Sequence, residues 1–548
     1  MRAFADLYQA LDRTTSSRLK VAAMVAYFGR VKAEDAAWAV YFLAGGKIKR
    51  LLPIAHLRAY AQRQTGLPVW LFEECYQTVG DLAETIALLL PTAQSERDTG
   101  LSQWVTECLL PLQSLDEEQR SSALEQLLDG WDADTRFICL KLITGGFRVG
   151  VSRLLVTRAL AQLTELPATQ IAQRMMGYFS AREHPNGDRY RALIADGDVD
   201  YQAIEPGQPY PFFLAQPLAR EDSQLQNILN APESWQLEWK WDGIRAQLVY
   251  RHGNIWLWSR GEELISEQFP ELCEAAKAFG EDTVLDGEIL VWHPDQNVPA
   301  SFADLQKRLG RKRLSDAIKR DYPVVFMAYD LLEEKGIDCR SLTLSQRRLA
   351  LETLISSHSV ASVFKLSPVV DIQDGAQARA HHAQAREQRA EGLMIKARSS
   401  QYGVGRTRQA GLWFKWKLDP MSIDAVLIYA QRGHGRRASL YTDYTFAVWD
   451  DSASPGEPLL VPVAKAYSGL TDQEIKQIDA ILRRSTVESF GPVRRVEPTL
   501  VFEIGFEGIL PSSRHKSGVA LRFPRMLRWR MDKPVDQADT LATLKALL

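Results

Sequence analysis

One strand-like run in this chain sets a lysine between two carboxylates: Glu238-Trp239-Lys240-Trp241-Asp242-Gly243-Ile244-Arg245. Side chains of an extended strand alternate with a period of two, so Glu238, Lys240 and Asp242 share one face. Trp239 and Trp241 then point the other way, toward a core. A lysine so placed, followed by a glycine turn and an arginine, is an odd device for stability alone. It suits a site where the amine itself attacks phosphorus. A free lysine, with a pKa of about 10.4, is mostly charged at pH 7, so such a site must supply the neutral amine by desolvation or nearby cations.

Further runs with chemical content follow in order. Ser259-Arg260-Gly261 comes after the strand-like Ile255–Trp258 and serves equally well as a plain surface turn. In Val284-Leu285-Asp286-Gly287-Glu288-Ile289-Leu290 two acids share a strand face among apolar residues. If buried they need a cation, a metal or donors; a solvated edge strand gives the same pattern. Phe326-Met327-Ala328-Tyr329-Asp330 ends another apolar strand, where most aromatics are core. Glu391-Gly392-Leu393-Met394-Ile395-Lys396 puts an acid and a lysine five positions apart. Strict alternation sends them to opposite faces unless Gly392 permits a bulge. Trp413-Phe414-Lys415-Trp416-Lys417 sets two lysines side by side, which repel unless an anion such as phosphate lies between them.

Three basic stretches stand apart from these. Between Arg514 and Lys533 there are seven Lys/Arg and one acid, Asp532, interleaved with Phe523, Met526, Leu527 and Trp529. That reads as an electrostatic footprint for phosphate on a folded surface. Lys307–Arg313 holds five Lys/Arg in seven residues. In Lys141–Ser152, Gly145, Gly146 and Gly150 allow close backbone approach to a phosphate, with Arg148 as the charge.

The elements that must position these residues change along the chain. Windows such as Val21–Phe28, Asp81–Leu90 and Ser121–Leu128 carry apolar residues at helical spacing, so residues 1 to about 200 read as helical. The cluster Glu205-Pro206-Gly207-Gln208-Pro209-Tyr210-Pro211 reads as a linker. Short strands alternating with polar helices follow, including Thr283–Val291 and Val324–Asp330. From about 420, Ile423–Tyr429, Tyr444–Trp449, Leu459–Ala466 and Thr499–Phe506 suggest a small barrel. A length of 548 residues fits several domains, and 46% hydrophobic with 24% charged residues is ordinary for a soluble protein. The net charge of −2 gives no global signal for nucleic acid. Five scattered cysteines form no C-x-x-C pair, which disfavours a zinc finger or a disulfide framework and fits a reducing cytosol. No stretch approaches a membrane span, and no signal-peptide pattern opens the chain.

Taken in order, Lys240, Arg260, Glu288, Phe326, Glu391 and Lys415/Lys417 resemble motifs I, Ia, III, IIIa, IV and V of the covalent nucleotidyltransferases, which comprise DNA ligases, RNA ligases and mRNA-capping enzymes. The Arg514–Lys533 stretch looks like motif VI of ATP-dependent DNA ligases, and Lys141–Ser152 resembles their helical DNA-binding domain. The resemblance to that family, nearest its bacterial branch, covers about residues 5 to 540. It implies an all-α DNA-binding domain (1–204), an α+β adenylation domain (205–419) and a C-terminal OB-fold β-barrel (420–548). It further implies Lys240 as the nucleophile that takes AMP from ATP, with Glu238 near the adenine and Phe326 stacked on it. Arg245 and Arg260 would hold ribose or phosphate oxygens, and Asp242 would meet ribose, metal or the nick. Glu288 and Glu391 would carry Mg²⁺, with Glu288 also at the nucleotide, and Lys415 and Lys417 would neutralise the α-phosphate. Arg406 and Arg408 compete for one further nucleotide contact, with Arg408 favoured. Arg148, Arg522, Arg525, Arg528, Arg530 and Lys533 are the candidates for DNA contact or pyrophosphate orientation. Asp419-Pro420 is the candidate hinge. Expected partners are nicked duplex DNA, bound with little sequence specificity and strong salt dependence, and candidate DNA-repair proteins; a cytoplasmic monomer is expected.

Rivals are weaker on the same residues. An RNA ligase or capping enzyme usually lacks the long N-terminal helical region. An NAD-dependent ligase would bring a four-cysteine cluster. A DNA-binding scaffold that had lost catalysis would lack Lys240, Glu288 or Glu391.

Overall fold

Helix starts in the N-terminal third are set by local capping. Ser16, Asp81, Asp132 and Ser152 each accept a hydrogen bond from the amide three residues on, satisfying a donor that the first turn leaves open. The computed structural model describes residues 1–48, 52–91, 99–147, 149–176, 184–196, 206–218, 223–309, 311, 314–358, 360, 362–405, 413–433, 440–450, 459–490 and 493–548. Among the described residues up to 196, every regular element is a helix. No described helix is long and apolar enough to cross a membrane, and all five cysteines are free.

The chain gathers into two units: residues 1–47, 100–103 and 148–418 in one, and 48–99, 104–147 and 419–548 in the other. In the first, the helices Arg2–Asp12, Ser17–Phe28 and Ala33–Leu43 pack with Arg153–Thr164 and Gly187–Ile194. Phe4, Tyr27, Trp38 and Phe42 are buried among them. The Pro/Gly cluster at 206–211 is not the loose linker its composition suggests. Tyr210 is 1% exposed, and its hydroxyl donates to Glu333 at 2.6 Å. Arg251 donates to the carbonyls of Pro206 and Gln208. A chain rich in proline has few amides to satisfy, so side chains from the neighbouring sheet tie it down instead.

Eleven strands follow in that unit: β1 (Gln216–Pro217), β2 (Trp235–Trp241), β3 (Ile244–Arg251), β4 (Asn254–Ser259), β5 (Thr283–Val291), β6 (Val324–Glu334), β7 (Ile337–Asp338), β8 (Phe364–Leu366), β9 (Val369–Val370), β10 (Ala390–Ala397) and β11 (Trp413–Lys417). They form two sheets, ordered β1-β11-β10-β2-β9 and β4-β3-β5-β6-β7, with β8 beside β6. The second sheet buries Leu248, Leu257, Leu285, Ile289, Phe326 and Leu331 in one core. The first buries Leu237, Leu393, Ile395, Phe414 and Trp416.

In the other unit, helices Ile54–Thr65, Val69–Val79, Leu82–Leu89, Glu117–Leu128 and Ala133–Thr144 are joined by strands β12 (Met421–Arg432), β13 (Tyr441–Asp450), β14 (Leu459–Ala466), β15 (Thr486–Phe490), β16 (Val493–Val496), β17 (Val501–Phe506), β18 (Gly508–Pro511), β19 (Val519–Arg522) and β20 (Arg525–Trp529). The sheet runs β14-β13-β12-β16-β15, with β17 bridging β12 and β20, and β18-β19 form a hairpin. The strand-dominated reading of this stretch did not place the helix Asp472–Arg484. Its signal was present: Thr471 and Glu474 form a capping box ahead of Ile475, Ile478 and Leu482, which are buried.

Candidate active site

The two sheets of the first unit exchange the chain at Asp242-Gly243, between β2 and β3. A Cβ on Gly243 would collide with the Ile289 carbonyl, so only glycine lets the crossover pass this close to β5. The result sets Lys240, at the end of one sheet, next to Arg245, which opens the other.

Lys240 Nζ is ion-paired with Glu391 on β10, and Lys417 Nζ lies 3.5 Å from the same carboxylate. The pairing depends on an irregularity. The register of β10 against β2 shifts between Ala390 and Leu393, and Gly392 has φ +133°, a conformation open to glycine and strained for L side chains. The bulge resolves the alternation problem, because Glu391 reaches Lys240 while Lys396 reaches Glu238. The Glu238–Lys396 pair is 2.8 Å long, with both residues 1% exposed, and Gln236 Nε2 donates to the same Glu238 oxygen at 2.8 Å. Lys396 Nζ also lies 4.4 Å from the Tyr329 ring centroid and 4.6 Å from that of Trp413. Lys396 had no assigned role in the sequence; its buried pair with Glu238 makes it part of the site.

Two expectations change at the second sheet. Phe326 is fully buried in the core of β3–β6, with its ring beside Gly287 and 5.7 Å from Phe364. It is not on the Lys240 face. The aromatic that is there is Tyr329, three positions on and so on the opposite face of β6 from Phe326, with its ring 4.4 Å from Lys396 Nζ. Arg245 likewise does not stand open for a nucleotide. Its Nε and Nη2 grip Asp286 at 3.1 and 2.7 Å, and Nη1 donates to the Phe213 carbonyl at 2.7 Å. Tyr402 and Tyr329 donate to Asp286 at 2.5 and 3.1 Å. Burial opposes the charge on Arg245, but Asp286 outweighs it and holds the guanidinium protonated. Tyr402 lies in a loop that no local pattern marks. Arg260 sits exposed in the turn after β4, its amide donating to the Arg245 carbonyl at 2.9 Å.

Glu288 behaves differently from every acid around it. It shares a face with Asp286 and sits opposite Arg245 across β3–β5, yet it makes no salt bridge among the described residues. Burial pushes its carboxyl up to about 8, against the pull of Lys240 and Arg245, and Asp286 and Glu391 push the same way. A half-buried carboxyl without a salt bridge, near a second carboxylate, offers hard oxygen ligands. Among the described residues no group of three metal-ligating side chains forms. This donor set fits a hard cation that keeps waters and takes further oxygens from phosphate, as Mg²⁺ does. Lys415 and Lys417 are half-buried on β11, on the edge facing β10.

Four cations of the C-terminal basic stretch, Arg525, Arg528, Arg530 and Lys533, are paired with acids that the local sequence does not show. Arg525 lies 3.3 Å from Glu507, and Arg528 3.5 Å from Glu503 across the β17–β20 pairing. Arg530 and Lys533 both reach Asp424 at 2.7 Å, and Asp532, held down to about 2 by its hydrogen bond from Arg530, closes a second pair at 2.8 Å. Arg522 lies over the ring of Phe523, which is 65% exposed. Acids from distant strands supply the balance, which no local count detects. In the Lys307–Arg313 run, Arg308 is fully buried against Glu271 and the Tyr322 carbonyl, and Lys307 pairs with Asp304. Arg148, Arg406 and Arg408 lie outside the described residues.

A lysine ending one sheet, an acid on the adjoining strand and two strand lysines beside it define a nucleotidyltransferase core. The family models agree: "ATP dependent DNA ligase domain" matches residues 213–417, "DNA ligase N terminus" residues 1–161 and "ATP dependent DNA ligase C terminal region" residues 437–533. A "Probable DNA ligase" of Koribacter versatilis (strain Ellin345) is 32% identical over 570 residues, spanning 99% of this chain and 95% of that one. Another, of Opitutus terrae, is 34% identical over 467 residues, 74% of this chain and 44% of that one. The solved structure "Pmar-Lig_PreS3" shares the fold at a TM-score of 0.56 and 15% identity, covering 96% of this chain. This chain belongs to the ATP-dependent DNA ligase family and is an enzyme of that kind.

Proposed function

We propose that the protein seals nicks in duplex DNA through a lysyl-AMP formed at Lys240. In the first transfer, Lys240 Nζ forms a bond to the ATP α-phosphorus and the bond to pyrophosphate breaks. The amine must be neutral to do this. Lys417, 3.5 Å from Glu391, competes for the carboxylate that holds the Lys240 ammonium and so loosens that hold. Lys415 and Lys417 then neutralise charge that grows on the α-phosphate. Glu288 and Glu391 would hold Mg²⁺, which when bound supplies charge neutralisation at the phosphates. Tyr329 offers the aromatic face for adenine, and Glu238 with Lys396 offers its polar edge. In the second transfer a DNA 5′-phosphate oxygen attacks the lysyl-AMP and frees Lys240. In the third, the 3′-hydroxyl attacks that 5′-phosphate, forming the phosphodiester and releasing AMP.

The finer architecture belongs to the same proposal: an all-α DNA-binding domain at 1–204, an adenylation domain at 205–419 and an OB-fold at 420–548, acting as a monomer on DNA. The observation that carries the reading is the shared carboxylate, Glu391, between Lys240 and Lys417. Incubation with α-³²P-ATP and Mg²⁺ should label the wild type and not Lys240→Ala, and nicked duplex should discharge the label as AMP. Label that forms and never leaves on nicked DNA would instead point to an RNA substrate.

A further inference from the structure

The helix Gly375–Gln384 starts at Asp374, whose carboxylate accepts from the Gln377 amide at 2.8 Å, and ends in His381-His382. The His382 ring stacks on Trp416 of β11, with centroids 4.0 Å apart and planes 12° from parallel. Its Nε2 lies 3.1 Å from the Lys417 carbonyl oxygen. A carbonyl only accepts, so Nε2 carries the proton and donates it.

The peptide that receives this bond is held at its other polar atom as well. The Leu418 amide donates to the Glu391 carbonyl at 2.9 Å. The Lys417–Leu418 peptide is thus fixed at both its C=O and its N–H. Lys417 lies opposite Gly392 in the β10–β11 register, and a Cβ there would collide with the Trp416 carbonyl. Trp416, the ring under His382, is 4% exposed. The next residue, Asp419, is where the chain passes from one unit to the other. His382 therefore touches the last peptide of the first unit, one residue from the side chain that shares Glu391 with Lys240.

We propose that His382 is a positioning residue for the adenylyl transfer. Its Nε2–H and its ring hold the Lys417–Leu418 peptide, so that the Lys417 ammonium stays on Glu391. This rests on the assignment of Lys240 as nucleophile and Lys417 as its neighbouring cation. A packing role alone would be met by any flat ring on Trp416; the positioning role needs the donor.

The test uses the full-length protein, its adenylate first removed with pyrophosphate, and compares wild type with His382→Phe, which keeps the stack and loses the donor, and His382→Gln, which keeps a donor. Lysyl-AMP formation is followed from α-³²P-ATP over a range of ATP concentrations, with thermal midpoints measured alongside. His382→Phe should lower the rate at saturating ATP about fivefold, the usual effect of one lost hydrogen bond, with KM for ATP unchanged. His382→Gln should recover most of that rate at an equal or lower melting temperature. A His382→Phe protein at the wild-type rate would overturn the proposal. So would rates that follow the melting temperatures in both variants, which is what packing alone predicts. Wild-type protein that takes no label would overturn the assignment of Lys240 itself, a failure distinct from that of His382.

Discussion

The lysine face of β2, β10 and β11 and the β20 arginines Arg525 and Arg528 are both rows of cations matched with acids, yet the first is the more buried. On the first, Glu238 and Lys396 are each 1% exposed, and the Lys240 and Glu391 side chains are 19% and 18% exposed. On the second, the Arg528 side chain is 60% exposed and its carboxylate partner 3.5 Å away. Buried pairs have fixed geometry and resist salt, and losing one partner strands a charge. Exposed pairs contribute little, are screened, and exchange readily for another anion such as a phosphate. On the proposed function, covalent chemistry falls to the buried pairs, whose atoms must not move, and the exposed pairs of β20 are the ones able to exchange a carboxylate for a phosphate.

The widest separation between the two regions should come from Lys240→Ala. Lysyl-AMP formation should fall at least about a thousandfold, as for loss of a nucleophile elsewhere, whereas Arg528→Ala should still take label from α-³²P-ATP. Stability should divide the same way. Asp330 and Arg347 are both fully buried and 2.7 Å apart, so Asp330→Ala should cost about 3–5 kcal/mol in urea unfolding; Arg528→Ala should stay within about 0.5 kcal/mol.

Aromatic substitutions sharpen the comparison within the buried region. Tyr329→Ala should raise KM for ATP about tenfold, as expected for losing a base-stacking face worth about 1–3 kcal/mol. Phe326→Leu should leave KM unchanged and shift only the unfolding midpoint.

The acid that stays unpaired gives a pH signature. Glu288 is lifted from 4.5 to about 8. Between those values the folded protein holds a proton that the unfolded chain has lost, so this group makes stability fall as pH rises through that window. Mg²⁺ competes for the same oxygens, so the Mg²⁺ concentration needed for half-maximal adenylation should fall as pH rises toward about 8 and then level. Glu288→Gln should flatten that dependence. The smallest effect belongs to the stripe: Arg528→Ala should reduce the log–log salt slope of nicked-duplex binding by about one.

What the sequence made legible follows from how local each signal is. Lys240 is marked by its own strand, and β5 spans Thr283–Val291, the bounds its apolar pattern predicts. Glu391 was singled out as a Mg²⁺ candidate, but its reach to Lys240 depends on the bulge at Gly392, which alternation alone cannot place. Phe326 was taken for Tyr329 because two aromatics stand on opposite faces of one strand, and nothing within β6 says which face meets Lys240. Arg245 looked available because its partner, Asp286, lies on another strand. The basic stripe looked uncompensated because Asp424, Glu503 and Glu507 are remote in sequence. For Glu391, Arg245 and the basic stripe the missing signal was a pairing between distant segments, which no pattern within a single strand or helix turn carries.

The central claim is that environment, not proximity to phosphate, selects one lysine among Lys240, Lys396, Lys415 and Lys417. Peptide mass spectrometry of the protein after reaction with ATP tests it directly. AMP is expected on the peptide carrying Lys240 and on none carrying the other three. An adenylyl group on Lys396, Lys415 or Lys417 would contradict it.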